Sequence, residues 1–393
     1  ASLGPSLVVC PVSLISNWLQ EVARFAPSLK VAQLRGIDTL HPPEAGEVWV
    51  VSYGHLAGNL KELGTVPWNV LALDEAQVVK NPESQRAKAV CTLHASVRVA
   101  LTGTPVENSS MDLWSLMQFL NPLLLGSKAR FRRTFVNSRP LFPLSKVVAP
   151  LILRRTKAEV LPQLPPLTEQ VRYVELSERE RAVYESVRRN AIQKMEDSQD
   201  RISILAELMK LRRACCHAGL VLPGYDGPAS KLAQMLELVL SLRESGHKAL
   251  VFSQFTDVLD LAEPMLAQAG VPYERLDGST PPRQRTAAVK RFQSGKVSVF
   301  LISLKAGGTG LNLTAADYVL LLDPWWNPAV EAQAASRSHR IGQVSPVTLY
   351  RLIASHTVEE RVLALHHEKQ ELAQEILSGA NVPLEPLQSL ISD

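Results

Sequence analysis

An apolar run, Leu71-Ala-Leu73, ends in two adjacent carboxylates, Asp74 and Glu75. A carboxylate at the end of a buried strand can hold magnesium through its water shell. The carboxylate next to it can orient and deprotonate an attacking water. The pattern by itself also fits a solvated strand end. Further on, Leu101-Thr-Gly-Thr-Pro105 places two hydroxyls, Thr102 and Thr104, around Gly103 at another strand end. This suits a loop that senses a neighbouring site, and equally suits an ordinary turn. In Leu304-Lys-Ala-Gly-Gly-Thr-Gly310, three glycines in four positions, Gly307, Gly308 and Gly310, let backbone amides approach a phosphate. Arg337 and Arg340 are three residues apart and share a face if helical. Two arginines aimed at a developing phosphoryl charge would act as arginine fingers, and two solvated surface arginines fit the same spacing.

Such groups work only where a fold holds them, and in open α/β sheets function gathers at the carboxyl ends of strands. Short apolar runs at Leu7–Cys10, Val48–Tyr53, Val70–Glu75 and Val97–Thr104 alternate with helical patterns at Leu14–Phe25 and Ser84–His94. That is the pattern of parallel strands covered by helices on both faces. The alternation lapses between about 106 and 245, where Leu113–Leu120 and Ser177–Met195 are helical and Ser177 with Glu180 fits a capping box. Within that stretch Leu161-Pro-Gln-Leu-Pro-Pro-Leu167 reads as a linker. The alternation resumes at Lys248–Phe255, Tyr273–Ser279, Val297–Leu304, Tyr318–Pro324 and Val347–Ala354. A closing helix is expected from Thr357, capped by Glu360, to near Gly379.

The predicted organisation is thus α/β, with two doubly wound parallel-sheet lobes and a helical region between them. Residues 1–105 form the first lobe, 106–245 the helical insertions and Pro-rich linker, 246–360 the second lobe, and 361–393 a C-terminal helix and tail.

The 393 residues are 46% hydrophobic and 20% charged, a globular composition, and the net charge of +4 neither requires nor excludes a nucleic-acid partner. Four cysteines, none in a C-x-x-C pair, fit a reducing setting and give no zinc pattern. The Cys215-Cys216-His217 run is expected to be buried packing, because adjacent residues rarely aim at one metal. No apolar run reaches membrane-span length and no secretory signal opens the chain, so it reads as cytoplasmic and soluble.

Taken together and in order, these motifs resemble the Swi/Snf family within helicase superfamily two, its bacterial branch in particular. The matching segments are Leu7-Val-Val-Cys-Pro-Val-Ser-Leu14, Asp74-Glu-Ala-Gln77 with Lys80-Asn-Pro82, and Leu101–Pro105 with Val106-Glu-Asn108. They continue through Leu151-Ile-Leu-Arg-Arg-Thr-Lys157, Val251-Phe-Ser-Gln-Phe255, Leu276-Asp-Gly-Ser-Thr280, Thr309–Thr314 and Gln333–Gln343. The resemblance implies RecA-like lobes that bind ATP and Mg²⁺ and translocate on double-stranded DNA, remodelling protein–DNA complexes such as transcription machinery.

The resemblance also implies residue roles. Asp74 would coordinate magnesium through water, and Glu75 would activate water. Arg337 and Arg340 would be the fingers. Gln77, Thr102, Gly103, Thr104, Gly308, Gly310 and Gln333 would bind nucleotide or couple its state to the lobes. Pro11, Ser13, Ser52, Ser253, Gln254, Ser303 and Lys305 would contact the DNA backbone. Ser13 and Ser52 fit helix capping and turn formation equally well. Trp325-Trp326 fits a stacking platform or a buried anchor, and paired tryptophans favour the anchor.

Two departures stand out. Ser336 occupies a position where the family usually has Asp. The phosphate-cradling G-x-x-x-x-G-K-[ST] is absent, since the one Gly-Lys pair, Gly295-Lys296, is followed by Val297. In the family that motif lies upstream of Leu7–Cys10. Without it this polypeptide is expected to hydrolyse ATP poorly alone. The first lobe is expected to be the less stable one, with Val70–Asp74 or a neighbour as an exposed apolar edge. Two rival readings follow: a catalytically inactive DNA-binding or scaffold protein, and a strand-separating helicase.

Overall fold

The computed structural model describes residues 4–34, 43–103, 110–136, 144–197, 201–307 and 311–366. The chain divides into two units, the first reaching Leu153 and the second beginning at Arg154. The region from 106 to 245 is therefore shared between them. Helix Ser110–Leu120 belongs to the first unit, and helices Glu178–Asp197, Arg201–Cys216 and Ser230–Glu244 belong to the second.

The first unit is built on five strands: β1 (Ser6–Cys10), β2 (Lys30–Gln33), β3 (Glu47–Ser52), β4 (Trp68–Leu73) and β5 (Ala95–Ala100). All pair in parallel in the order β2-β3-β1-β4-β5. Side chains alternate between two covered faces. Leu7 and Val9 join Trp49, Val51, Leu71 and Leu73 against Leu116 and Phe119 of helix Ser110–Leu120. Val8 and Cys10 join Val48 and Val50 on the other face, against Leu14 and Ile15. This double burial is why the central strands read as unbroken apolar runs. Val70–Leu73 lies inside the sheet, between β1 and β5, so it is not the edge. The edge is its neighbour β5, where Val97 and Val99 are exposed, as is Leu101 just beyond it.

The second unit has six parallel strands: β6 (Leu167–Val174), β7 (Ala249–Ser253), β8 (Tyr273–Leu276), β9 (Val299–Ser303), β10 (Tyr318–Leu321) and β11 (Val347–Ala354). Their order is β6-β11-β10-β7-β9-β8. Val251, Leu301 and Leu320 face Met235, Val239 and Val258, while Leu250, Phe252, Phe300 and Ile302 face Ala288 and Phe292. β6 corrects the reading of 106–245 as helical insertions and a Pro-rich linker. It starts at the last residue of the Pro-rich stretch and pairs with β11 along its whole length. It escaped notice because it is a mostly exposed edge whose polar residues break the apolar run, with Glu169 paired to Arg351 at 2.7 Å.

Of the two predicted capping boxes, Ser177 with Glu180 forms and Thr357 with Glu360 does not. The Glu180 carboxylate accepts from the Ser177 N–H at 2.9 Å and the Ser177 hydroxyl accepts from the Glu180 N–H. Glu360 accepts instead from the His356 N–H at 3.0 Å, ahead of the helix at 358–366, while Thr357 accepts from Glu359 N–H. The expected end near Gly379 lies outside the described residues. Among the described residues no helix is long and apolar enough to cross a membrane.

Candidate functional site

In each unit the order of strands reverses at one place, between β1 and β4 and between β7 and β10. Ligand crevices in open α/β sheets lie outside the strand ends at such places, and both units gather their polar motifs there.

In the first unit the ladder continues past the strand ends. Asp74 N–H donates to Val9 C=O at 2.8 Å, Leu101 N–H to Leu73 C=O at 2.8 Å, and Ala76 N–H to Leu101 C=O at 2.9 Å. The Asp74 carboxylate is therefore fixed at the crevice and is half-buried. One oxygen accepts from Trp18 Nε1 at 2.8 Å, the other from the Glu75 N–H at 2.9 Å. Each oxygen keeps lone pairs for water molecules of a magnesium shell, so the donor set fits a hard cation held through water. Glu75 sits at φ 50, ψ 50, a left-handed backbone that side-chain-bearing residues adopt at a cost of roughly 1–2 kcal/mol. Such strain concentrates at functional positions.

From Glu75 a relay runs across two strand ends. Gln77 Nε2 donates to Glu75 Oε2 at 2.6 Å, and Thr102 Oγ1 donates to Gln77 Oε1 at 2.8 Å. Asp74, Glu75, Gln77 and Thr102 are thus brought together, with exposed Gly103 next in the chain. Thr104 lies outside the described residues. Sequence reasoning missed two supports. Trp18 comes from helix Ile15–Phe25, and the Tyr53 hydroxyl donates to Asp74 C=O at 2.8 Å. Burial, and then the Asp74 charge, push the Tyr53 hydroxyl well up and the Cys10 thiol up to about 12, so both stay neutral. Pro11 caps the single turn Val12–Leu14 just after β1 and Ser13 lies within it, both half-buried. Ser52 is a helix cap: its Oγ accepts from His55 N–H at 3.2 Å, and it is buried.

In the second unit Ser253 and Ser303 are register partners at the ends of β7 and β9. Ser253 Oγ donates to Asp323 Oδ1 at 2.5 Å, the Gln254 N–H reaches both Asp323 oxygens at 3.2 Å, and Ser303 Oγ accepts from Ala306 N–H at 3.3 Å. Lys305 is exposed. Asp323 is fully buried, and its nearest cation is the equally buried Arg212 at 3.8 Å. Burial raises the Asp323 carboxyl to about 6 against the lowering pull of Arg212. Arg212 also donates to Pro324 C=O and stacks over Trp326 at 4.9 Å from the ring centroid. Trp325 and Trp326 are accordingly anchors, packed on two different cores. Cys215 and Cys216 likewise point into separate cores, which is why adjacent thiols here do not converge on one ion.

Arg212 was legible in principle. Leu208, Arg212 and Cys215 follow helical spacing, so a charge sat on an apolar stripe and demanded a buried partner.

The arginine segment follows helix Pro328–Ala335, on which Gln333 is half-buried. Arg337 is mostly buried and its C=O accepts from Leu313 N–H at 2.9 Å, while Arg340 Nη1 donates to Leu311 C=O at 3.2 Å. Both arginines are thereby tied to the segment that follows the glycine loop. Gln343 locks the end of the turn, donating to Thr314, Ala316 and Ser338 C=O and accepting from Val344 and Ser345 N–H. Gly308 and Gly310 lie outside the described residues.

The SNF2-related domain model matches residues 2–220, and the Helicase conserved C-terminal domain model matches residues 230–342. A putative ATP-dependent helicase/translocase of Bacillus subtilis, YwqA, is 34% identical over 96% of this chain and 44% of its own length. An uncharacterized ATP-dependent helicase of Mycoplasma pneumoniae is 38% identical over 95% of this chain and 37% of its own. The human SWI/SNF-related matrix-associated actin-dependent regulator of chromatin subfamily A member 1 is 35% identical over 92% and 37%. The chain thus spans 37–44% of the length of these relatives. Among solved structures, the Sulfolobus solfataricus SWI2/SNF2 ATPase core in complex with dsDNA is 32% identical, covering 96% of this chain and 83% of that one, with a TM-score of 0.48. On the domain match over residues 2–220, more than half of its length, the chain belongs to the SNF2-related family.

Proposed function

We propose that this chain is the motor of an ATP-dependent translocase that moves along double-stranded DNA and remodels protein–DNA complexes. The observation that carries the reading is the relay Glu75–Gln77–Thr102 beside Asp74. It joins a water-activating carboxylate, through two hydrogen bonds, to the end of a second strand. Asp74 would hold Mg²⁺ through water, and the bound ATP–Mg²⁺ supplies the phosphoryl group and its charge neutralisation. Glu75 orients the attacking water and takes its proton. Gln77 and Thr102, with Gly103 and Thr104, report the state of that carboxylate to the sheet. Arg337 and Arg340 supply positive charge for the transition state, and Gly308, Gly310 and Gln333 contact the nucleotide.

DNA is held by its backbone, through Pro11, Ser13, Gln254 and Lys305, while the buried hydroxyls of Ser52, Ser253 and Ser303 brace the strand ends behind them. Backbone contact without base reading requires binding that is indifferent to sequence and steeply salt-dependent. The test is phosphate release by the full-length protein with and without duplex DNA, across a salt series and several sequences. Hydrolysis should be DNA-stimulated whatever the sequence, fall with salt, and drop on the order of 10³-fold in Arg340→Ala. Hydrolysis indifferent to DNA, or near-normal rates in Arg340→Ala, would refute the reading.

A further inference from the structure

The segment after the boundary between the units packs on the segment carrying the two arginines. Thr156 and Glu159 form a full capping box: Glu159 Oε2 accepts from Thr156 N–H at 2.7 Å and Thr156 Oγ1 from Glu159 N–H at 3.3 Å. This fixes Lys157 at the first position of the one-turn helix Lys157–Val160. From there Lys157 Nζ donates to Ser336 Oγ at 2.9 Å and to His339 C=O at 2.7 Å. Its two contacts bracket Arg337, and Arg340 follows directly. Ser336 Oγ in turn donates to Ala332 C=O at 2.7 Å, so the ammonium ties into the last turn of helix Pro328–Ala335. A second tie follows: His339 Nε2 lies 2.7 Å from Pro165 C=O, and Val347 N–H donates to Pro166 C=O at 3.0 Å where β6 joins β11.

The contact carries an electrostatic cost. Lys157 is exposed as a whole, yet local desolvation of its ammonium, and then the charges of Arg340 and Arg337, depress its pKa. A lysine needed only for solubility would swing away on its flexible stem. Here the cation stays beside two others, and its oxygen acceptors are those of the arginine segment itself.

We propose that Lys157 is a positioning residue: with the His339–Pro165 tie it clamps residues 336–340, so that Arg337 and Arg340 are aimed from the chain that enters the second unit at Arg154. The inference rests on the finger roles proposed above. It adds that the entering chain, three residues from the boundary, sets their geometry. Misaligned catalytic groups lose rate while ground-state binding persists.

Two measurements test it on Lys157→Ala and Lys157→Arg. The first is amide hydrogen exchange in peptides spanning 336–343, on this polypeptide. Faster exchange in Lys157→Ala, restored by Lys157→Arg, is expected. The second is DNA-stimulated hydrolysis by the full-length protein. Lys157→Ala should lower kcat about ten-fold with KM for ATP, duplex affinity and Tm unchanged, and Lys157→Arg should recover most of it. Unchanged exchange and kcat in Lys157→Ala would overturn the clamp. So would a loss of kcat that follows falling Tm and duplex affinity without rescue by arginine. Absent hydrolysis in the unsubstituted protein would instead sink the motor reading, and the exchange result would still decide the clamp.

Discussion

Glu75 and Asp323 stand at matching places in the two units, and their surroundings make them different objects. Asp74 N–H donates to Val9 C=O just as Leu322 N–H donates to Phe252 C=O, so each carboxylate is the second residue past a central strand at the reversal of strand order. Glu75 is half-buried, on a left-handed backbone, with the neutral amide of Gln77 at 2.6 Å. Asp323 is fully buried beside Arg212 and accepts from Ser253 and from the Gln254 N–H. One carboxylate keeps free lone pairs near solvent, where a water molecule can reach it. The other has its hydrogen-bonding capacity committed and bolts the strand end to helix Arg201–Cys216. Equivalent position in a repeated architecture therefore does not carry equivalent chemistry, which is set by burial and by the charge of the partner.

The comparison breaks first if substitutions on the two sides behave alike. Glu75→Gln keeps the shape but cannot take a proton, so turnover should fall on the order of 10²- to 10⁴-fold with Tm unchanged, read by phosphate release and calorimetry. Arg212→Met leaves Asp323 buried without its cation and Pro324 C=O without its donor. It should destabilise the second unit by about 3–5 kcal/mol, measured by denaturant titration. Activity loss in Arg212→Met without loss of stability would place Arg212 in the chemistry instead.

The pH dependence sharpens the contrast. The Asp323 carboxyl titrates near pH 6 when folded against an ordinary value of 3.8. An acid whose folded pKa is raised favours folding fully below the lower value, and that contribution is lost as pH rises through about 6. Relative to Asp323→Asn, which does not titrate, the unsubstituted protein should therefore lose about 2 kcal/mol of unfolding free energy between pH 4 and pH 7. A constant difference across that range would show that Asp323 titrates normally.

Much of this was legible in the sequence because buried parallel strands announce themselves. Leu7–Cys10 and Leu71–Leu73 are apolar on both faces, and the polar residues at their ends are where the crevice must be. What was missed is physically instructive. β6 is a mostly exposed edge strand, so Val171 and Tyr173 alternate with Arg172 and carry no unbroken apolar signal. Trp18, Tyr53 and Arg212 act through contacts 21 to 112 residues distant in sequence, which no local spacing encodes. Ser52 shows the converse. Its hydroxyl suited both a DNA contact and a cap, and the structure engages it as a cap.

A smaller effect tests the relay. Thr102→Val removes the hydroxyl that donates to Gln77 Oε1 and leaves Glu75 in place. DNA-free hydrolysis should change little while the stimulation by duplex DNA falls several-fold, roughly the worth of one hydrogen bond. Equal loss of both rates would make Thr102 part of the chemistry and not of the coupling.

The central claim is movement along intact duplex DNA, and the most direct test is displacement of a third strand from a DNA triplex by the full-length protein. The account predicts ATP-dependent release of the third strand while the underlying duplex stays paired, with release lost in Glu75→Gln. A third strand that remains bound during DNA-stimulated hydrolysis, or a duplex that comes apart into single strands, would contradict it.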